Sequence, residues 1–437
     1  MSTPTKVLMG SGATGIEYFY YHFADTDISS TISSVADSSG NHYTHANDSG
    51  TGTTVIKTNK AGAVQASRRQ EKTSSTYPQT IRLNSDESKL IIAPDGPHQY
   101  MFNTSDMSLH NATSVTTTNY WGGGMMTHPI FAGRNGSEWA FVLTKSYSSQ
   151  VSTSTAHSQL NKINISDGSL SYRRMPIVST SDKYTSPPTG NCLAKDDDGY
   201  LYLYQNSNAN QSLIIYKFNP NSSIGVEWAI QMFASHGGGN FYSYNRYTMD
   251  ADGSGNTYFC YSNGTLHIEK FNSSGSSQWK KTYTGGGMNN DMAYDSNQRN
   301  CVAVGDVFIV AAKPVSGNGC QLLAVNQSDG SVAWYLDVAD SNTGASSDEY
   351  IGLCADPSGE AFTVCQGRLM IQLPVDGSIT GTFGNLSISS RTNPSTSNIS
   401  SNFSSYGTNG ITTNQTQGSS TLNHSTRTIS NPSKTDL

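Results

Sequence analysis

Along residues 266–287, LHIEKFNSSGSSQWKKTYTGGG, apolar positions alternate from Leu266 to Phe271, stop at the polar run Asn272 to Gly275, and resume through Trp279 before three glycines. Period-two alternation broken by an Asn/Gly turn predicts two strands joined by a tight hairpin. The same pattern occurs seven times, near Gly62, Asp106, Gly168, Gly225, Gly275, Gly330 and Gly377, at spacings of about 45 to 62 residues. Repeats of this length indicate a propeller or a solenoid. A second turn lies upstream of each copy, at Asp37, Asp86, Asn135, Asp197, Asp252, Asp295 and Asp356. Asp, Asn and Gly supply the local hydrogen bonds and the positive φ that such turns require.

Two turns per copy give four strands per unit, which is the description of a propeller blade. One such unit cannot bury both faces alone and must stack on its neighbours. The chain is therefore expected to be all-β, a seven-bladed β-propeller of four-stranded antiparallel blades. A parallel β-helix is the rival, but its coils are shorter and lack hairpin turns at these offsets. The segment GIEYFYYHFA (Gly15 to Ala24) aligns with GVEWAIQMFA (Gly225 to Ala234), a fourth strand, yet has no blade of its own. Residues 16–23 are expected to pair onto the last blade and close the ring, hiding an open sheet edge. This divides the chain into an N-terminal closing segment, 1–27, the propeller, 28–384, and a tail, 385–437. The tail is about 60% Ser, Thr and Asn. No amphipathic helix passes through its scattered apolar residues, so it is expected to be extended, a flexible end or an arm ordered against a partner.

Composition agrees with this reading. Charged residues are 13% of the 437 and hydrophobic ones 35%, while 24 Tyr, 14 Phe and 5 Trp supply a core. The net charge is −6 with no basic cluster, which argues against nucleic acid as a partner. No run is long enough to insert in a membrane, and residues 1–12 lack the apolar stretch of a signal peptide. Cys192, Cys260, Cys301, Cys320, Cys354 and Cys365 form no C-x-x-C pair and are read as reduced, buried small hydrophobes. Trp228, Trp279 and Trp334 share one position of the repeat and are read as wedges between blades. The Gly triplets at 122–124, 237–239 and 285–287 are read as tight passages between blades.

Candidate chemistry is sparse. Asp196–Gly199 and Asp250–Gly253 offer oxygen ligands, but neither has the closing Glu of a calcium loop, and both fall at the repeat's ordinary hairpin. SDGSVAW (Ser328 to Trp334) lacks the spacer of a sialidase Asp box. The ten histidines show no ligand spacing, and there is no G-x-S-x-G elbow. The sequence thus offers no catalytic, metal or cofactor-binding residues. Aromatics in two connecting segments, Tyr120 and Trp121, and Tyr242, Tyr244 and Tyr247, are the candidate contacts to a sugar or protein partner. The competing reading lines a blade with the same tyrosines.

Two resemblances attach to these residues. VNQSDGSVAWYL resembles the quinoprotein-like and NHL-like propeller repeat. More extensively, IEYFYYHFADTDISSTISSVADSSGNHYTH and HIEKFNSSGSSQWKKTYTGGG resemble propeller proteins of marine bacteriophage virions, cyanophages especially. Blade two departs from the pattern, with SDESKL at its first turn and no Trp after Asp106. The resemblance implies a structural component of the virion tail or tail fibre, assembled in the host cytoplasm, serving as scaffold or adhesin. It would contact other virion proteins and a host-surface glycan or protein, and could form a homo-oligomer in the assembly. The alternative is a soluble carbohydrate-binding or glycan-cleaving propeller, which paired carboxylates at the ring centre would favour.

Overall fold

The strands pair into seven antiparallel sheets. The structure, a computed structural model, describes residues 5–11, 16–23, 28–48, 52–71, 80–95, 98–114, 129–146, 157–174, 193–207, 212–221, 225–233, 247–262, 265–287, 300–312, 319–340 and 351–405. Among these the backbone is strand and turn, with no helix. Blades 1 to 6 each contribute four consecutive strands, beginning at Ile28–Ala36, Ile81–Leu83, Ile130–Ala132, Leu193–Lys195, Tyr247–Ala251 and Cys301–Val304. Blade 7 contributes three of its own, Ile351–Ala355, Ala361–Gln366 and Leu369–Pro374. The first strands contact one another in order around a hub, and blade 7's touches blade 1's. The chain is a seven-bladed β-propeller.

In blades 1 and 5 the first turn is built by one aspartate. Asp37 accepts hydrogen bonds from the Ser39 and Asn41 amides (3.0 and 2.8 Å), the Asn41 side chain (2.8 Å) and the Tyr43 hydroxyl (3.1 Å). Asp252 repeats this set with Ser254, Asn256 and Tyr258. The shared string D-x-S-G-N-x-Y places the tyrosine inside the blade with its hydroxyl turned back to the carboxylate. Blade 2 lacks the glycines, and Glu87 and Met107 take up the left-handed conformation instead, at φ 57° and 58°. Glu87 recovers part of that cost by accepting from the Ser38 amide and hydroxyl of blade 1 (2.8 and 2.7 Å).

The second turn holds blades together. Trp228, Trp279 and Trp334 lie in the fourth strands of blades 4, 5 and 6, and each ring rests on the turn glycine of the next blade. A Cβ at Gly275, Gly330 or Gly377 would approach the ring to 3.0, 2.8 or 2.7 Å. Each indole N–H donates to a carbonyl of that same turn: Ser273 at 2.9 Å, Gln327 at 3.1 Å and Val375 at 2.8 Å. The expectation of tryptophan wedges between blades therefore holds. Core residues continue the stacking between blades, as where Tyr204 of blade 4 packs edge-on against Phe259 of blade 5, 5.5 Å between centroids.

Three sequence expectations need correction. Gly225 is not a turn corner equivalent to the others: it opens the strand Gly225–Phe233 and has no positive φ. The first turn of blade 6 is not at Asp295. Cys301–Val304 is that blade's first strand, and Gly305–Asp306 form a two-residue turn between Val304 and Val307. The chain after Gly377 does not form the fourth strand of blade 7. Glu17–His22 takes that place, pairing antiparallel with Leu369–Gln372, so residues 16–23 close the ring as expected.

Both end segments go further than the sequence indicated. Thr5–Ser11 folds back on Glu17–His22 as a fifth strand of blade 7. After Gly377 the chain runs backwards around the rim: Leu386–Ser390 pairs with the fourth strand of blade 6, Ser395–Asn398 with that of blade 5, and Phe403–Ser405 with that of blade 4. The first residues of the polar tail are thus extended and ordered against the ring itself. Leu386 and Ile388 are buried there, and Arg391 clasps two blades, with its guanidinium on Asp337 of blade 6 and on the Gly286 and Gly287 carbonyls of blade 5. Tyr20 joins the two end segments by donating to the Phe383 carbonyl at 2.9 Å.

Gly330→Ala puts a methyl against Trp279 at a φ of +71°; the expected loss is about 1–3 kcal/mol, read as a lower urea midpoint. Removing residues 1–23 exposes Leu369–Pro374 as an open edge and is expected to convert a monodisperse protein into aggregates in size-exclusion chromatography.

Candidate functional site

The innermost strands end at a polar mouth over the hub. A cavity of about 280 Å³ there is lined from six blades, among them Arg82 of blade 2, Lys195 and Asp197 of blade 4, Asp250 and Asp252 of blade 5, and Gly305 of blade 6. This is where the loops of separate blades meet, the usual place for a propeller to bind a ligand. The carboxylates are not equivalent. Asp250 is buried and accepts from the Ala303 amide at 2.9 Å, tying blade 5 to blade 6. Asp252 is engaged by its turn and Tyr258. Asp197 is exposed, its carboxylate lying against Gly253, where a Cβ would meet Oδ2 at 2.2 Å. Lys195 stands 4.0 Å from Glu138, a half-exposed pair of little energetic weight. The mouth can hold a polar, hydrogen-bonding ligand. Among the described residues no group of three His, Cys, Asp or Glu is arranged to hold a metal ion.

A second cavity, of about 390 Å³, lies at the seam where the N-terminal strand meets blade 1. Glu17, Phe19, Asp37, His42, Lys60 and Asp356 are among its lining residues.

Of the aromatic contacts expected from sequence, Tyr120, Trp121, Tyr242 and Tyr244 lie outside the described residues. Tyr247 begins the first strand of blade 5 and is 8% exposed. Its ring stacks on Phe259 at 5.9 Å and 13°, its carbonyl accepts from the Tyr204 hydroxyl at 2.8 Å, and burial pushes its phenol well up. Tyr247 is a packing residue, because the strand alternation that carried it to the blade interior also removed it from the surface. Asp196, grouped at first with possible calcium ligands, accepts from the Tyr200 amide and the Tyr202 hydroxyl (2.8 and 2.7 Å) and serves the turn. Cys260, Cys301, Cys320, Cys354 and Cys365 are buried and form no disulfide; burial pushes the Cys260, Cys320 and Cys365 thiols up, which makes these three poor nucleophiles. Cys192 lies outside the described residues.

The sequence reading missed a lysine. Lys57, Lys162, Lys217 and Lys270 each stand two residues before the second-turn Asn, in the string K-x-N. Each ammonium reaches into the next blade and donates to a turn carbonyl: Thr104 at 2.8 Å, Pro220 at 2.8 Å, Ser273 at 3.3 Å and Gln327 at 3.0 Å. For Lys217 and Lys270 the acceptor is the same carbonyl that takes the tryptophan N–H. Burial lowers the Lys162 and Lys217 pKa values, and Asp196, 3.7 Å from Lys217, opposes the shift there.

A cluster of buried charge lies under the rim strand of blade 5. Glu269 and Lys280 face each other at 3.9 Å, both nearly inaccessible, and Glu269 also accepts from Ser277 at 2.8 Å. Burial raises the Glu269 pKa and lowers that of Lys280, while Ser401 of the tail bonds to the carboxylate and opposes the shift. His267 beside them stacks on Tyr261 at 4.7 Å. Burial, and then the Lys280 charge, lower its pKa to about 4.

Comparison with known proteins gives no family: no family model matches the chain, and no curated protein matches it. Solved structures do. BamB from Moraxella catarrhalis aligns over 89% of this chain and 91% of its own, at 12% identity and a TM-score of 0.45. The Dos1 propeller aligns over 84% and 80%, at 10% identity and a TM-score of 0.49. The Cps50 (Swd1) β-propeller domain of Myceliophteria thermophila aligns over 85% and 100%, at 8% identity and a TM-score of 0.49. These are likenesses of fold, too distant to inform activity.

His267 stays neutral in the folded chain down to about pH 4, whereas the unfolded chain protonates it near 6.5. The unfolded state therefore binds the extra proton, and stability falls as pH drops from 6.5 towards 4. After discounting for partial exposure, the loss is about 1–2 kcal/mol. His267→Gln is expected to flatten that part of the urea-midpoint profile. Lys270→Met leaves the Gln327 carbonyl one donor short and is expected to cost about 1–2 kcal/mol at neutral pH.

Proposed function

We propose that this propeller is a non-enzymatic structural component of a bacteriophage virion, a scaffold or adhesin of the tail or tail fibre. The observation that carries the reading is the partly covered rim. Strands from both end segments cover the outer edges of blades 4 to 7, leaving fewer free edges for proteolysis or unwanted pairing. That suits a module carried outside a cell on a particle. The motif resemblance supplies the virion setting, with other virion proteins as neighbours and a host-surface glycan or protein as the target. Weak contacts at each propeller would gain from many copies in one particle.

A second reading rests on the hub mouth, where Arg82, Lys195 and Asp197 border one cavity. A soluble glycan-binding propeller would use those groups to hydrogen-bond sugar hydroxyls. Hydrolysis is less favoured, because among the described residues of the mouth Asp250 and Asp252 are engaged by blade structure and do not pair with Asp197 as a second acid.

Immunogold microscopy of purified particles carrying the coding sequence is expected to label the tail. Unlabelled particles remove the virion reading. Turnover of any member of a glycan panel, lost in Asp197→Asn with unchanged stability, promotes the second.

A further inference from the structure

The joint between blade 7 and blade 1 is built from other parts than its counterparts. In blades 4, 5 and 6 the tryptophan of the fourth strand pairs with the residue two before the second-turn Asn: Trp228 with Lys217, Trp279 with Lys270 and Trp334 with Ala324. In blade 7 these places hold Phe19, paired with Gln372. Phe19 has no N–H to give. The Gln372 side-chain nitrogen turns back to its own blade and donates to the Glu17 carbonyl at 3.1 Å. The carbonyl that takes the indole N–H elsewhere belongs to Ser273, Gln327 or Val375. The corresponding residue of blade 1 is Lys60, next after Asn59.

The cavity of about 390 Å³ lies in this joint, with Phe19, Gln372 and Lys60 all lining it. Its size suits a small molecule. Gln372 is 5% exposed, and its Oε1 is buried with no hydrogen-bond partner. Because the amide nitrogen is committed to Glu17, nitrogen and oxygen cannot exchange places. A buried acceptor left unmade is costly, so a donor that reaches it gains the whole of that bond. Glu17, Asp37 and Asp356 also line the cavity, against Lys60 as its one lysine. The bonds that Asp37 and Asp356 accept within their turns come from neutral amides and hydroxyls, which leave the carboxylate charge in place. The lining therefore favours a cation with N–H donors, and Phe19 gives it an aromatic wall.

We propose that the cavity between blades 7 and 1 binds a small organic ammonium that carries a flat apolar ring. Such a ligand brings to this joint the ring and the cationic donor that blades 4 and 5 supply from their own side chains. The site is separate from the hub mouth and does not depend on the virion reading.

Tryptamine, an indole joined to an ammonium, tests this by saturation-transfer NMR on the full chain, beside 3-indolepropionate, which carries the same ring on a carboxylate. Tryptamine is expected to bind with a Kd of about 1 mM or tighter, and 3-indolepropionate about tenfold or more weakly. Two variants close the cavity. Gln372→Lys places there the lysine of blades 4 and 5. Ser39→Trp fills it from an exposed turn position and keeps the amide that bonds to Asp37. Each is expected to weaken tryptamine about tenfold or more, while Asp197→Asn at the hub mouth leaves it unchanged. Absence of tryptamine binding to the full chain overturns the proposal. So does equal binding of the two probes, which would leave the carboxylates no part in recognition. Binding that survives Ser39→Trp but is lost in Asp197→Asn also overturns it, and assigns the ligand to the hub.

Discussion

The contact on which the rest of the molecule depends is the seat of one blade on the next. An aromatic ring and a lysine from one blade converge on a single turn of its neighbour. The turn supplies a glycine thin enough for the ring to lie on and a carbonyl that accepts both N–H groups. At blades 4 and 5 all three parts are present, in Trp228, Lys217 and Gly275 and in Trp279, Lys270 and Gly330. Dispersion over an indole face is non-directional, whereas two donors on one carbonyl fix the angle at which blades meet. Repetition of that angle lets seven blades close a circle. Where a part is missing the joint changes: blade 1 keeps Lys57 but has Ala66 where the tryptophan would stand, and Glu87 reaches back from blade 2 to Ser38.

Closure creates the next requirement. A ring of antiparallel sheets has outer edges, and open edges invite pairing with other chains. Here the two end segments meet that requirement from opposite directions. The N-terminal strand completes blade 7, and the tail runs against the order of the blades along the rim. The two join where Tyr20 reaches Phe383, so loosening one end exposes the seat of the other. The rim strand also covers the Glu269–Lys280 pair, two buried charges 3.9 Å apart, with Ser277 and Ser401 bonded to the carboxylate. A buried pair of this kind gives little net stability, but it is costly to leave half-made, which favours the arrangement with the tail in place.

The hub is built differently. Its polar side chains come from six blades, and most of them are already bonded to turns or neighbouring strands. What remains at the surface is a small mouth of mixed charge. Among the carboxylates that line the mouth, Asp197 is the exposed one.

The blade count, the turn residues and the tryptophan wedges were legible in the sequence because they are local: alternation of period two, Asp and Gly at fixed offsets, and one large apolar residue per copy each reflect a strand or a hairpin. The K-x-N lysines were visible as a string, but their meaning was not, since their acceptors lie in another repeat 47 to 58 residues away. Tyr247 read as a loop aromatic because glycine and asparagine precede it, and only the strand it begins decides which way the ring points. The polar tail carried no signal for its rim strands, because an added edge strand is held by backbone hydrogen bonds, which any run of Ser, Thr and Asn can make. Composition and periodicity thus determined that this chain makes blades. The closure of the ring decided what covers their edges, because a sheet edge is selected by where the chain is held and not by which side chains it carries.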